Sequence, residues 1–369
     1  MSQGATAEGT QRYAEKLKEV AAQGHFRPAQ GLTVSSIGIG TYLGQPNDNT
    51  DASYAAALVE AGLAGINLFD TAINYRFQRS ERNVGTALKV LANKGFARDE
   101  LVVCTKGGYL TPDGSMPADP NKYFFEEYIQ RGIFNAKEIA AGCHCMTPRY
   151  IEDQLNRSLK NLGVSCVDVY YLHNPETQLG EVPRAEFLGR MRKAFEFLET
   201  AVGEGKIQFY GLATWNGFRQ EAKAADTLFL GEIEEIAREL AGDRHHFRFV
   251  QLPYNLAMTE ALTLGNQTVR SEPHTMMEAA ADLGITLVGS AALLEGQLAQ
   301  NLPPFVAEAL GLESDLERAL QFARSSPGIT TALVGMSRAA HVEANAKLVG
   351  VKPAGLEEFS KLFERGNSA

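Results

Sequence analysis

The chain has 369 residues, 44% hydrophobic and 21% charged, with 35 basic and 44 acidic side chains and a formal net charge of −9. That length suits one large barrel or two ordinary domains, and a core of that size needs no disulfide or metal to fold. The acidic balance argues against a general nucleic-acid binder, which carries a basic excess or stripe, yet a few local donors can still bind an anionic cofactor.

No apolar run approaches the ~18 residues of a membrane helix. Residues 1–23 are polar and rich in Ala, Glu and Lys, without the apolar centre of a secretory signal. They are expected to form a polar extension, an exposed helix or tail, ahead of a single barrel domain over residues 24–369. Cys104, Cys143, Cys145 and Cys166 are too few for a disulfide scaffold. They point to reduced thiols and a cytoplasmic protein.

In chain order, Leu32 to Gly40 predicts a strand and Asp51 to Leu63 a helix. Ile66 to Asp70 predicts a strand, Glu81 to Asn93 a helix and Leu101 to Thr105 a strand. The unit Pro148 to Leu162 then Val167 to Leu172 repeats the rhythm. Glu186 to Val202 with Gln208 to Ala213 does so again, as does Ile233 to Leu240 with Phe249 to Leu252. Thr275 to Leu283 with Ile285 to Val288, and Leu316 to Ala323 with Thr331 to Val334, complete eight strands. Ala339 to Leu348 and Leu356 to Glu364 predict two closing helices.

The predicted strands are near-continuous apolar runs, as a parallel sheet covered on both faces requires. Gly62, Gly65, Gly95, Gly163, Gly205 and Gly284 punctuate helix ends, where a left-handed C-cap takes glycine without steric cost. Repeating strand-helix units fit a (β/α)8 barrel or a doubly wound sheet. With eight strands and no Pro/Ser-rich linker, the α/β reading favoured is a (β/α)8 TIM barrel with an extra C-terminal helix. One segment breaks the rhythm: Gly107 to Met146 inserts ~40 residues after the third strand, and long connections are often functional lids. Its aromatics (Tyr109, Tyr123, Phe124, Phe125, Tyr128, Phe134) argue for an ordered decoration, a lid or an oligomer contact. It is expected to wall part of a pocket, with Tyr109 nearest the chemistry.

Barrel active sites gather at the C-terminal ends of the strands. The polar residues that follow the second, third and fourth apolar runs are Asp70, Lys106 and His173, and Tyr75 lies five residues beyond Asp70. Alone, each has an ordinary use: a turn aspartate, a solvated lysine, a backbone-bonded histidine. Side by side on one rim they make a proton-delivery group. A phenol pKa near 10 is high for a donor at neutral pH, and a neighbouring ammonium lowers it. Lys106 supplies that charge, Asp70 holds it, and neutral His173 orients a carbonyl oxygen that Tyr75 protonates.

The stretches Leu68–Tyr75 with Ser80 and Glu81, Val103–Lys106 and Tyr170–His173 resemble the aldo-keto reductase superfamily. The resemblance spans roughly Leu32 to Gly350. It implies a (β/α)8 barrel that uses NADPH, less often NADH, without a metal, and a catalytic tetrad of Asp70, Tyr75, Lys106 and His173. Gly40, Thr41 and Tyr42 then correspond to a nicotinamide-side contact, and Gln251 to the glutamine that holds the carboxamide. Two departures stand out. Ala213 and Thr214 replace the family's Ser-Asn pair, so Thr214 must serve as the remaining amide contact. Gly289 or Ser290 stands where an aromatic often stacks on nicotinamide, which leaves Trp215 or another aromatic to cover the ring. Ser337 and Arg338 resemble contacts to the 2′-phosphate, with His341 and Asn345 further along the same helix. Ala344 replaces the glutamate before that asparagine. Leu293, Glu295 and Gln297 lie in the loop that often straps the pyrophosphate.

Cys143-His144-Cys145 supplies at most three metal ligands at a tight spacing, with no matching pair elsewhere. It is expected to pack the insertion, and no metal is expected. The resulting expectation is an NADPH-dependent reductase of an aldehyde, ketone or open-chain sugar. Its expected partner is a small carbonyl substrate, not nucleic acid or membrane, and a homo-oligomer is left open. The alternatives are an NADP-binding regulatory subunit and a redox-neutral enzyme with tightly held cofactor, both on the same fold.

Overall fold

The computed structural model describes residues 4–364. Eight parallel strands close into a barrel in chain order: β1 (Ile37–Gly40), β2 (Leu68–Asp70), β3 (Val102–Gly107), β4 (Val167–His173), β5 (Ile207–Ala213), β6 (Phe247–Pro253), β7 (Thr286–Ser290) and β8 (Ile329–Gly335). The barrel closes because β8 pairs with β1. Among the described residues, thirteen α-helices of four to twenty residues accompany the strands.

The first predicted strand is two elements. Leu32–Ser35 pairs antiparallel with Phe26–Ala29 in a hairpin, and only Ile37–Gly40 joins the barrel. Ser36 separates them. Apolar character alone could not reveal the change of partner, since both halves are buried. Ala29, Leu32 and Val34 of the hairpin pack with Leu68, Val102, Val169, Phe249, Val288 and Leu333 in the barrel interior. The hairpin therefore floors the barrel and leaves the opposite, C-terminal rim open.

Of the exposed helix or tail expected at the N-terminus, the structure has the helix, but docked on the barrel rather than exposed on all sides. This helix, α1 (Ala7–Lys16), is capped by Thr6, whose hydroxyl accepts from Gly9 N at 2.9 Å. Tyr13 is fully buried and its hydroxyl donates to the Gly62 carbonyl at 2.7 Å. Just ahead of α1, Ala5 N donates to buried Asp168, whose other oxygen accepts from Val103 N at 2.6 Å and Arg98 Nη2 at 2.8 Å. A carboxylate fully supplied with donors is a stable way to bury charge. It ties the N-terminus to β3 and β4.

The insertion leaves β3 and returns to α2 (Pro148–Leu162), which has Pro at its first turn and ends at Gly163 with φ 66°. Within the insertion, Phe124, Tyr128 and Phe134 form a stacked ladder, and Tyr150 of α2 meets both Tyr128 and Phe134 edge-on. The Arg157 guanidinium lies 5.5 Å from the Tyr128 ring centroid and pairs with Glu127. Most of the insertion thus packs along the barrel side. Phe125 is exposed and Tyr123 half-buried. At the other end, the C-terminal helix Leu356–Glu364 stacks Phe359 on Phe322.

Candidate active site

The strand register aligns the predicted residues on the open rim. Gly40 pairs with Asp70, His173 with Ala213, and Ala213 with Gln251. Lys106 sits two residues beyond Cys104, the register partner of Asp70. These ends surround a cavity of about 980 Å³. Tyr75 follows β2 on a short turn, and Tyr75 N donates to Ala72 O at 3.1 Å. After Tyr75 the chain makes a left-handed turn through Arg76, Phe77 and Gln78 (φ 48°, 57° and 71°). Non-glycine residues rarely hold that conformation. Here Arg76 is fixed by Asp51 at 2.6 Å, by Ser80 at 3.1 Å and by Asn83. The Ser80 hydroxyl in turn donates to the Thr41 carbonyl at 2.8 Å. Glu81 accepts from Thr105 at 2.6 Å and Asn161 at 2.8 Å. The Ser80–Glu81 pair therefore braces the loops rather than entering the cavity.

The four central residues meet. Lys106 is fully buried, and its Nζ donates to Asp70 Oδ1 at 2.5 Å, Thr71 O at 2.9 Å and Tyr75 Oη at 3.3 Å. The Tyr75 and His173 rings meet edge-on at 5.7 Å. Burial pulls the Lys106 ammonium down, but Asp70 and Tyr75 more than offset it and hold it above the ordinary lysine value. Burial also pushes His173 well below the usual imidazole range, helped by the Lys106 charge, so His173 is neutral.

One sign differs from expectation. Burial raises the Tyr75 phenol more than Lys106 lowers it, so the net shift is upward. The expectation weighed only the neighbouring charge and omitted desolvation, which disfavours a buried phenolate. Tyr75 therefore holds its proton more firmly than a free tyrosine.

Gly40, Thr41, Tyr42, Thr214, Gln251, His341 and Asn345 all line the cavity. The Thr41 hydroxyl donates to Asp70 O at 3.1 Å, and Tyr42 meets Tyr75 edge-on at 5.1 Å. Gln251 donates to Asp70 Oδ2 at 2.8 Å. Thr214 Oγ1 and Asn345 Oδ1 are buried polar atoms without a partner. Buried polar atoms are nearly always hydrogen-bonded, and both of these residues line the cavity, so their free oxygens fit a polar group bound there. Leu293, Glu295 and Gln297 also line the cavity, on a loop with left-handed Leu294, Glu295 and Gly296. Trp215 lines the mouth, as does Ser290, whereas Gly289 does not.

Ser337 and Arg338 do not line the cavity. Ser337 is half-buried and Arg338 exposed, ahead of the helix Ala339–Ala346. From the insertion, only Tyr109 reaches the cavity. The broader aromatic wall expected there is corrected: Tyr128 and Phe134 pack against Tyr150 of α2, Phe124 stacks on Tyr128, and Phe125 is exposed away from the cavity lining. Cys143 and Cys145 are free thiols, and His144 is fully buried against the His173 carbonyl, its Nε2 2.8 Å away. Among the described residues, no group of three or more His, Cys, Asp or Glu side chains could hold a metal.

Asn74 and Asn174 were not singled out from the sequence, yet both line the cavity. Asn174 follows His173 directly in a left-handed conformation (φ 46°) and donates to Tyr109 Oη at 3.1 Å. Its place just after a strand end was the available signal. Glu176 was also missed. Its Oε1 accepts from the backbone N–H groups of Trp215, Asn216 and Gly217 at 2.8, 3.1 and 3.3 Å, which fixes the loop after β5. No motif in the sequence announces that role.

The model of the Aldo/keto reductase family matches residues 36–362. An Escherichia coli protein named NADH-specific methylglyoxal reductase is 30% identical over 188 residues, 49% of each chain. A Schizosaccharomyces pombe protein described as a candidate voltage-gated potassium channel subunit beta is 29% identical over 207 residues, 53% of this chain and 49% of its own. The chain spans about half the length of these curated relatives. Among solved structures, a Klebsiella pneumoniae aldo/keto reductase in complex with NADP and acetate shares the fold. It superposes with a TM-score of 0.61 at 19% identity, covering 92% of this chain and 94% of that one. With the family model matched over most of its length, the chain belongs to the aldo/keto reductase family.

Proposed function

We propose that this protein is an NADPH-dependent carbonyl reductase with Tyr75 as proton donor. The observation that carries the reading is the Lys106 ammonium, which binds Asp70 and the Tyr75 hydroxyl together at the floor of an open cavity. Beside it stands a neutral His173. The unpartnered Thr214 and Asn345 oxygens fit a long polar cofactor laid across the rim, and the Klebsiella pneumoniae relative is named as an NADP complex.

Bound NADPH supplies the hydride. Tyr75 and His173 receive the carbonyl oxygen, His173 by donating a hydrogen bond and Tyr75 by transferring the phenolic proton. His173 Nδ1 is buried without a partner, and buried N–H groups without an acceptor are rare, so its proton belongs on Nε2. Lys106 stabilises the phenolate left behind, and Asp70 keeps Lys106 charged and in place. Gln251 and Thr214 hold the carboxamide, while Gly40, Thr41 and Tyr42 bound the nicotinamide side. Trp215 covers the ring where the family aromatic is lacking. Ser337 and Arg338 take the 2′-phosphate, with His341 and Asn345 toward the adenine. Tyr42, Tyr109 and Trp215 give the substrate mouth three aromatic walls. Aldehydes, ketones and open-chain sugars fit this description.

Residues 24–369 form one barrel domain in this proposal, and residues 365–369 lie outside the described residues. Four free thiols suit a reducing, cytoplasmic setting, and no described helix is long and apolar enough to cross a membrane. A second reading is an NADP-binding regulatory subunit. The Ala213–Thr214 departure and the Schizosaccharomyces pombe relative favour it.

Stopped-flow mixing of the NADPH-loaded protein with a series of aldehydes, ketones and sugars separates the two. Oxidation of bound NADPH that depends on carbonyl concentration supports the reductase. Retained NADPH with every carbonyl supports the regulatory subunit.

A further inference from the structure

The insertion's return segment lies against the catalytic rim at one point. Tyr109 and His144 form an antiparallel bridge, Leu110 N donates to Cys143 O at 2.7 Å, and Cys145 N donates to Gly108 O at 2.9 Å. The approach requires glycine at 108, since a Cβ there would stand 2.7 Å from His144 Nε2. The His144 ring is consequently wedged behind the proposed catalytic histidine. Its edge meets the Tyr109 ring at 5.2 Å, and Tyr109 in turn meets the His173 ring edge-on at 5.2 Å.

The hydrogen bonds around His144 have a forced direction. Arg190 Nη1 lies 2.5 Å from Gln178 Oε1. A guanidinium can only donate, so the Gln178 oxygen faces Arg190 and its amide NH2 faces His144. Gln178 Nε2 stands 2.8 Å from His144 Nδ1. That nitrogen must accept, so the ring proton sits on Nε2, which donates to the His173 carbonyl at 2.8 Å. Gln178 also donates to the His144 carbonyl at 3.2 Å. Both Gln178 and His144 are fully buried, so water does not compete for these groups. Arg190 is itself anchored by Glu186 at 2.6 Å.

We propose that Arg190, Gln178 and His144 form a one-way hydrogen-bond chain that positions His173 and Tyr109 for the substrate. His144 and Gln178 are positioning residues, because they act through the His173 backbone and the Tyr109 ring. This inference rests on the reductase reading for its effect on turnover, but not for the chain itself. The reverse direction is excluded while Arg190 is present. A flipped Gln178 would point its NH2 at a cation, and an Nδ1–H tautomer of His144 would point a proton at an amide donor.

Gln178→Glu tests the direction with little change of shape. Its carboxylate keeps Arg190 but can only accept, so it draws a proton to His144 Nδ1, and a ring that stays neutral then turns a lone pair toward the His173 carbonyl. Nitrogen-15 NMR of histidine-labelled protein should show His144 as the neutral Nε2–H tautomer in the wild type and protonated at Nδ1 in Gln178→Glu, as the Nδ1–H tautomer once the pH is raised enough to remove any imidazolium. At a pH where the variant's His144 is the Nδ1–H tautomer, its carbonyl reduction should lose about 10- to 100-fold in kcat, the scale of a sub-ångström loss of alignment, with KM for NADPH unchanged. A lowered melting temperature with unchanged kcat would overturn the positioning role. If Gln178→Glu does not fold, the wild-type spectrum decides: an Nδ1–H tautomer or an imidazolium at His144 near neutral pH overturns the chain. A wild type that oxidises no NADPH with any carbonyl defeats the reductase reading instead, and the tautomer still decides the chain.

Discussion

Gln251 donates to one oxygen of Asp70 at 2.8 Å while Lys106 donates to the other at 2.5 Å. One buried carboxylate therefore joins the residue proposed to grip the nicotinamide amide to the residue proposed to charge the proton donor. Cofactor grip and proton delivery share a support on β2.

That sharing makes Lys106 structural as well as chemical. Lys106→Met leaves the Asp70 charge buried without its counter-ion, and breaking such a pair costs about 3–5 kcal/mol. Adding Asp70→Asn should recover much of the stability without restoring turnover. Chemical denaturation of the single and double variants measures this. Equal destabilisation in both would show that the two groups do not depend on each other.

Tyr75→Phe removes the transferable proton and little else. Turnover should fall ~10²–10⁴-fold, the range for a positioned general acid, while NADPH affinity stays near that of the wild type. Steady-state rates and a cofactor titration check the two halves separately. Near-normal turnover would remove Tyr75 from the mechanism.

The pH profile follows from the two shifts. Reduction needs Tyr75 protonated and His173 neutral. Burial raises Tyr75 above its ordinary value and lowers His173 well below its own. The active protonation state therefore fills the interval between the two ordinary values, about pH 6.5 to 10. Reductive kcat/KM should be flat across that interval and fall only outside it, when the phenol ionises above or His173 protonates below. Alcohol oxidation, which needs the phenolate, should rise with pH instead. A reductive rate that halves near neutrality would place a titrating His173 in the mechanism.

Arg338 is exposed ahead of the helix Ala339–Ala346, beside His341. If it takes the 2′-phosphate by a charge-assisted hydrogen bond, Arg338→Ala should weaken NADPH by ~1.5–3 kcal/mol and leave NADH nearly unchanged. Calorimetric titration with both cofactors reads the difference. Equal losses would assign Arg338 elsewhere.

The insertion divides into a working residue and a packed remainder. Tyr109→Ala should change kcat/KM ratios among carbonyl substrates, because its ring lines the cavity and meets His173. Tyr123→Ala and Phe125→Ala should leave those ratios unchanged, since neither lines the cavity. A substrate panel run on all three variants makes the comparison. Altered ratios in Phe125→Ala would mean that the insertion moves over the mouth.

The barrel and its central residues were legible in the sequence for a local reason. Strands buried on both faces must be continuous apolar runs, so the first polar residue after each run falls on the same rim. That logic located Asp70, Lys106 and His173 without coordinates, and the fixed step to Tyr75 followed. Other features depend on partners that local pattern does not name. Leu32–Ser35 and Ile37–Gly40 are equally apolar, but one pairs in a hairpin and the other in the barrel. The polar helix Ala7–Lys16 hides Tyr13 only because a carbonyl at Gly62 and the barrel floor are there to receive it. The direction of the Tyr75 shift is a balance between Lys106 and depth of burial, and burial is a property of the closed fold. His144, Gln178 and Arg190 are ambiguous as residue types and distant from one another in the chain. Only their convergence behind His173 orients each donor toward one acceptor, because a hydrogen bond is fixed by position and angle rather than by residue identity.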